Sequence, residues 1–227
     1  IPNAPVAASG TYSVTVVSNG CTSNNPGIVT VVVNPTQAPV ASNSGPICAG
    51  ATLNLFATTV SGATYTWTGP NGFSSNVQNP SIPNATTADA GTYSVIANVS
   101  GCTSSNPGAT VAVVNPIPNI TANSNSPLCT GSTLNLTAST FVGATYSWTG
   151  PNGFSSSQQN PSILNATTAA SGTYSVVATA SGCSSSNAAT TDVTVNSVPT
   201  TPIVGSNSPL CTGETLNLTA SPISGAT

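Results

Sequence analysis

The sequence predicts an all-β chain of tandem β-sandwich domains with a repeat of about 81 residues. Three observations carry this. The first is the repeat itself: Tyr12, Tyr93 and Tyr174 are spaced by 81, as are Cys21, Cys102 and Cys183, and Trp67 and Trp148. Cys48, Cys129 and Cys211 follow at 81 and then 82. Residues 45–102 align with 126–183 without gaps and are identical at 41 of 58 positions. The second is alternation of apolar and polar residues in short runs, the period of a half-buried strand. The third is the lack of any segment with a 3.6-residue period, while turn residues recur about every ten positions.

An 81-residue unit is too long for a solenoid repeat and suits a small domain. Pro-rich joints at Asn34–Pro39, Asn115–Pro118 and Asn196–Pro202 divide the chain. The expected domains are a partial repeat at 1–34, whole repeats at 35–115 and 116–196, and a partial repeat at 197–227. Ile1 aligns with Ile82 and Thr227 with Thr145, so the chain is expected to be a stretch of a longer array. Short joints rich in Pro favour extended, stiff connections.

Within 35–115 the elements follow in order. Ala51–Ala57 alternates and is expected to be a strand. Thr64–Thr68 is the next, with Tyr65 and Trp67 on one face. Gly69-Pro-Asn-Gly72 is expected to form a type I turn, with Pro at its second position and Gly at its fourth. Phe73 follows it. Ser81–Ala85 is a short strand. A longer one begins at Asp89–Val95 and runs to about Asn98. Ser100-Gly101 turns the chain, and Ala109–Val114 is the last strand.

Composition excludes several functions. The chain has no Lys, Arg or His and only three acidic residues, and charged residues are 1 % of the total. With no cations it has nothing to neutralise phosphates, which excludes nucleic-acid binding and attraction to anionic membranes. Acid–base catalysis could draw only on Asp89, Asp192 and Glu214, which fall at three different places in the repeat. The expectation is a non-enzymatic protein without catalytic residues, cofactor or metal. No apolar run reaches membrane-spanning length. Apolar residues are 38 %, too many for disorder by low hydrophobicity. Six cysteines without a Cys-x-x-Cys or a histidine fit an oxidising, extracellular compartment better than zinc.

The run DAGTY at 89–93 resembles the tyrosine corner of immunoglobulin-like domains, and Trp67 stands where their core Trp does. The resemblance implies that Trp67, Trp148, Tyr93 and Tyr174 are core residues. Immunoglobulin domains bridge their sheets with a disulfide from the position two after that Tyr. Here that position is Val95 or Val176, and its partner place is near Ala57 or Ala138. A second resemblance is to repeats of secreted cell-surface adhesins of Bacteroidota, including gliding-motility adhesins. It rests on NSPLCTGSTLNLT at 125–137, SWTGPNGF at 147–154, GTYSV at 172–176 and SGC at 181–183. It implies type IX secretion and a place on the outer cell surface.

If the sandwich is immunoglobulin-like, Cys48 and Cys102 lie at opposite ends of the domain, roughly 20–25 Å apart. A disulfide needs Cα atoms within about 7 Å. Stacking domains end to end instead pairs Cys48 with Cys183 of the following repeat. Cys21, Cys102, Cys129 and Cys211 then pair outside this sequence. Pairing within a repeat, Cys48–Cys102 and Cys129–Cys183, stays open if the strand order differs, as do free thiols and links to other chains.

The functional reading is a structural stalk or spacer of a large secreted bacterial adhesin or filament, its partners being other repeats of the same chain. Two alternatives stand beside it. One is a fibre or sheath subunit whose neutral surface associates laterally, since nothing on it repels a copy. The other is a repeated glycan- or ice-binding module, with Thr-rich faces or Phe73 and Phe154 as contacts. Those two Phe follow an exposed turn and either cover the core edge or meet a ligand.

Overall fold

A computed structural model describes residues 1–33 and 37–225. The expected boundary between residues 34 and 35, the joint residues Asn34, Pro35 and Thr36, and Thr227 lie outside the described residues. Two compact units are formed, Ile1–Pro116 and Ile117–Thr227. Each holds one complete sandwich and one partial repeat.

In the first unit, one sheet has the order Ser81–Ile82, Leu53–Ala57, Ala41–Asn43, all antiparallel. The other is built around Gly91–Val99. Thr64–Thr68 flanks it on one side and pairs in turn with Ser74–Ser75. Gly108–Ala112 and Cys102–Thr103 flank it on the other, at its two ends. A short parallel pairing of Val114–Asn115 with Ile47–Cys48 completes the domain. The second unit repeats this layout with Leu134–Ala138, Thr145–Thr149, Gly172–Ala180 and Ala189–Val193 as its main strands. All helical segments among the described residues are three-residue 3-10 turns.

The inward faces follow the alternation in the sequence. Leu53, Leu55 and Ala57 are buried from one sheet, and Tyr65, Trp67, Tyr93, Val95 and Ala97 from the other. Their equivalents Leu134, Leu136, Ala138, Tyr146, Trp148, Tyr174, Val176 and Ala178 form the second core. Val95 and Val176 occupy the place of the missing core cystine. Both are fully buried.

Five expected elements differ in detail. The long strand expected from Asp89 starts at Gly91, because Thr87–Asp89 winds into a 3-10 turn that the Thr86–Asp89 capping box holds. The strand expected at Ala51–Ala57 starts at Leu53, because Gly50 takes φ +87° and the Ala51 N–H turns back to the Cys48 carbonyl. The strand at Ser81–Ala85 ends at Ile82, where Pro83 has no N–H and Asn84 adopts φ 52°. The Gly69–Gly72 turn is not type I. Asn71 sits at φ 54°, ψ 29°, a left-handed conformation that Asn tolerates better than most residues. The last strand is two pieces, because the chain leaves Gly91 after Ala112 and picks up Ile47–Cys48 from Val114. The strands Ala41–Asn43, Ile47–Cys48 and Cys102–Thr103 had no signal in the alternation, being only two or three residues long.

The partial repeats keep local pairing without an opposing sheet. Gly10–Val14 pairs with Gly27–Val31, and Val204–Ser206 with Leu218–Ala220, every residue exposed.

Candidate functional site

The features that recur are a set of core pins, a turn at one end and a cysteine at each end. The corner tyrosines act as hydrogen-bond donors: Tyr93 Oη donates to the Asp89 carbonyl at 2.7 Å and Tyr174 Oη to the Ala170 carbonyl at 3.0 Å. Tyr12 does the same to Ala8 at 2.9 Å. Burial pushes the Tyr93 and Tyr174 hydroxyls up, with the Asp89 charge adding at Tyr93, so both stay protonated as donors. Trp67 and Trp148 are wholly buried and offer no surface to a sugar. Their Nε1 atoms donate to the Gln78 and Gln159 carbonyls at 3.0 and 3.1 Å.

Those two glutamines open a run, Gln-Asn-Pro, whose role was not read from the sequence. Gln78 Nε2 donates to the Ala57 carbonyl at 2.9 Å, and the Ala57 N–H donates to Asn79 Oδ1 at 3.0 Å. Gln159 and Asn160 clamp Ala138 in the same way. The two-residue strands Ser81–Ile82 and Ser162–Ile163 do not reach Ala57 and Ala138, so side chains supply what a longer ladder would. The signal was available: Gln-Asn-Pro-Ser-Ile is unchanged between the repeats while the residues just before it vary.

The Gly-Pro-Asn-Gly turn presses Phe73 edge-on against Tyr93 and Phe154 against Tyr174, ring centroids 5.4 Å apart in both. Both Phe are partly buried. They cap the core edge and keep one side to solvent. Beside them Asp89 is 9 % exposed. Its carboxylate accepts from the Thr86 N–H at 2.8 Å, the Thr86 hydroxyl at 2.9 Å and Asn71 Nδ2 at 3.3 Å. The Thr86 N–H and hydroxyl, helped by Asn71, hold this carboxyl below the ordinary aspartate range against the opposing pull of burial. A depressed folded-state pKa stabilises above the unfolded value and is lost as the pH falls through the folded one. Asp89→Ala is therefore expected to cost about 0.5–2 kcal/mol at neutral pH, the range for a lost cap. It should cost less at acid pH, as the folded carboxyl takes up its proton. Urea unfolding at the two pH values checks this; an equal loss at both would remove the charge from the account.

The cysteines occupy opposite poles of each sandwich. Cys48 lies beside Asn115, past the Gly91 end of the long strand, and Cys102 pairs with Val99 at its other end. Nine residues of strand separate them by roughly 25 Å. Cys129 and Cys183 are placed likewise in the second unit. Cys48 and Cys183 each take part in a disulfide. Cys21, Cys102, Cys129 and Cys211 are free thiols, so neither within-repeat pair is formed. A disulfide belongs to an oxidising compartment, which fits an extracellular protein.

Residues 119–195 match the family model described as the PKD domain, which covers the second whole repeat. No curated protein sequence matches the chain. Among solved structures it is similar to the titin I-band fragment I67–I69, with 13 % identity and a TM-score of 0.45 over 82 % of this chain and 77 % of that one. It is also similar to the three N-terminal domains of the highly immunogenic outer capsid protein of bacteriophage RB49, with 20 % identity and a TM-score of 0.36 over 83 % and 69 %. The eight N-terminal immunoglobulin domains of Down syndrome cell adhesion molecule give 16 % identity and a TM-score of 0.37 over 81 % and 30 %. The fold is a tandem array of PKD- and immunoglobulin-like sandwiches.

Proposed function

We propose that this chain is a non-enzymatic spacer in a large secreted bacterial surface protein, an adhesin or filament of the kind found in Bacteroidota. Its whole domains are 35–115 and 116–196, and its partners are further copies of the same repeat. The observation that carries the reading is the cysteine pattern. Two complete sandwiches each place one cysteine at either pole, both within-repeat pairs are open, and Cys48 and Cys183 are oxidised. A bond between Cys48 and Cys183 would cross the joint, leave each core untouched and restrict bending of the array. The motifs shared with secreted adhesins support a place on the cell surface. Asp89, Asp192 and Glu214 occupy no common position, which supports a role without catalysis.

Non-reducing peptide mapping tests the pairing. The chain has no Lys or Arg, so pepsin or chymotrypsin replaces trypsin. A peptide linking Cys48 to Cys183 is the expected product, and a Cys48–Cys102 peptide overturns the reading. Reduction should broaden the distance distribution seen by small-angle scattering while far-UV circular dichroism is unchanged. Loss of the β signal on reduction would mean the bond holds the domains themselves.

A further inference from the structure

The places of Cys48 and Cys183 in the chain decide what a pull along the array can reach. The 134 residues between them hold most of both sandwiches. From the first they include Leu53–Ala57, Thr64–Thr68, Gly91–Val99 and Gly108–Ala112. From the second they include Leu134–Ala138, Thr145–Thr149 and Gly172–Ala180. Both core tryptophans and the corner tyrosines Tyr93 and Tyr174 lie inside this stretch. Outside it the first sandwich keeps Ala41–Asn43 and Ile47–Cys48, and the second keeps Ala189–Val193 and Val195–Asn196. Ala41–Asn43 and Ala189–Val193 each pair with one strand only among the described residues.

Tension travels along covalent bonds. A section of chain whose two ends are held together cannot lengthen under it. Load speeds unfolding only where the chain gains length along the pull, and forced unfolding is governed by the unfolding rate. With Cys48 bonded to Cys183, force passes from one to the other through the sulfurs. The strands between them then unfold no faster under load than at rest. Without the bond, both sandwiches stand in series on the load path. A bond between positions flanking the joint, near Asn115 and Asn119, would restrict bending as well but enclose neither core.

We propose that the Cys48–Cys183 bond is a tension shunt, which carries load past both sandwich cores and leaves only edge strands such as Ala41–Asn43 and Ala189–Val193 to be peeled. This rests on the pairing proposed above and adds a load-bearing role to it.

The test is single-molecule stretching of the whole chain from its two termini, before and after reduction, with the thiols of Cys21, Cys102, Cys129 and Cys211 alkylated beforehand. Peptide mapping of the same oxidised sample reports the pairing independently. The oxidised chain should show no unfolding event from either core at forces that unfold both after reduction. Reduction should add about 440–480 Å to the final extended length, the reach of the 134 enclosed residues. A double variant, Cys48→Ser with Cys183→Ser, should stretch like the reduced chain. Core unfolding in an oxidised chain mapped as Cys48–Cys183, or its full extension without reduction, would overturn the shunt and leave the pairing standing. A gain of only about 175–190 Å, the reach of the 53 residues inside Cys48–Cys102 or Cys129–Cys183, would overturn the pairing and the shunt with it. So would a double variant that stays as short as the oxidised chain.

Discussion

Trp148→Ala is expected to cost the second whole repeat about 3–5 kcal/mol, the range for removing a buried aromatic. Trp148 has no exposed surface and lies opposite Val176 across the strand pair. Its loss opens a cavity between the two sheets. It also removes the donor to the Gln159 carbonyl, whose side chain clamps Ala138. Domains of this size are stable by only about 5–15 kcal/mol, so the repeat becomes marginal. The readout separates the repeats. With Trp148 gone, Trp67 is the only indole in the chain and reports the first repeat alone. Its fluorescence should change at the parental denaturant concentration, while circular dichroism gains an earlier transition. One unchanged transition by both probes would show that the indole does not hold the core.

Gly150→Ala should be nearly as damaging for a different reason. Gly150 has φ −169°, extended backbone that any residue adopts, so no conformational strain is involved. The obstacle is space: a Cβ there would lie 2.4 Å from Tyr174 Cδ1 and 2.6 Å from Cε1. The ring cannot retreat, because its hydroxyl is tied to Ala170 and Phe154 packs against it. Overpacking costs about 1–3 kcal/mol where neighbours can yield, and this site should reach the top of that range or exceed it. Gly69 meets Tyr93 in the same way at 2.3 Å. A double-mutant cycle with Tyr174→Ala checks the cause. Once the ring is absent, the added methyl should cost almost nothing. A penalty that persists without the ring would place the fault elsewhere.

The sandwich was legible because its evidence is redundant. Repeated Tyr and Trp positions fix the period, and Leu53-Asn-Leu55 and Tyr65-Thr-Trp67 each alternate strongly enough to name their buried face. The missing core cystine was also visible, as Val95 and Val176. What escaped was short or depended on side chains. A two-residue strand such as Ile47–Cys48 shows no period, since its existence rests on a neighbour far along the chain. Asn71 betrays nothing of its left-handed φ beyond being an Asn before a Gly. Gln78 and Asn79 look like loop residues, yet they finish a ladder.

The valine in the place of the core cystine separates two events that immunoglobulin domains tie together. Each core here closes by packing, by a tyrosine hydroxyl and by an amide clamp, none of which needs an oxidant. A repeat can therefore reach its native packing while every thiol is still reduced. Oxidation is then a step that the packing of a core does not wait for, and a mispaired cysteine would leave the core of its own domain closed.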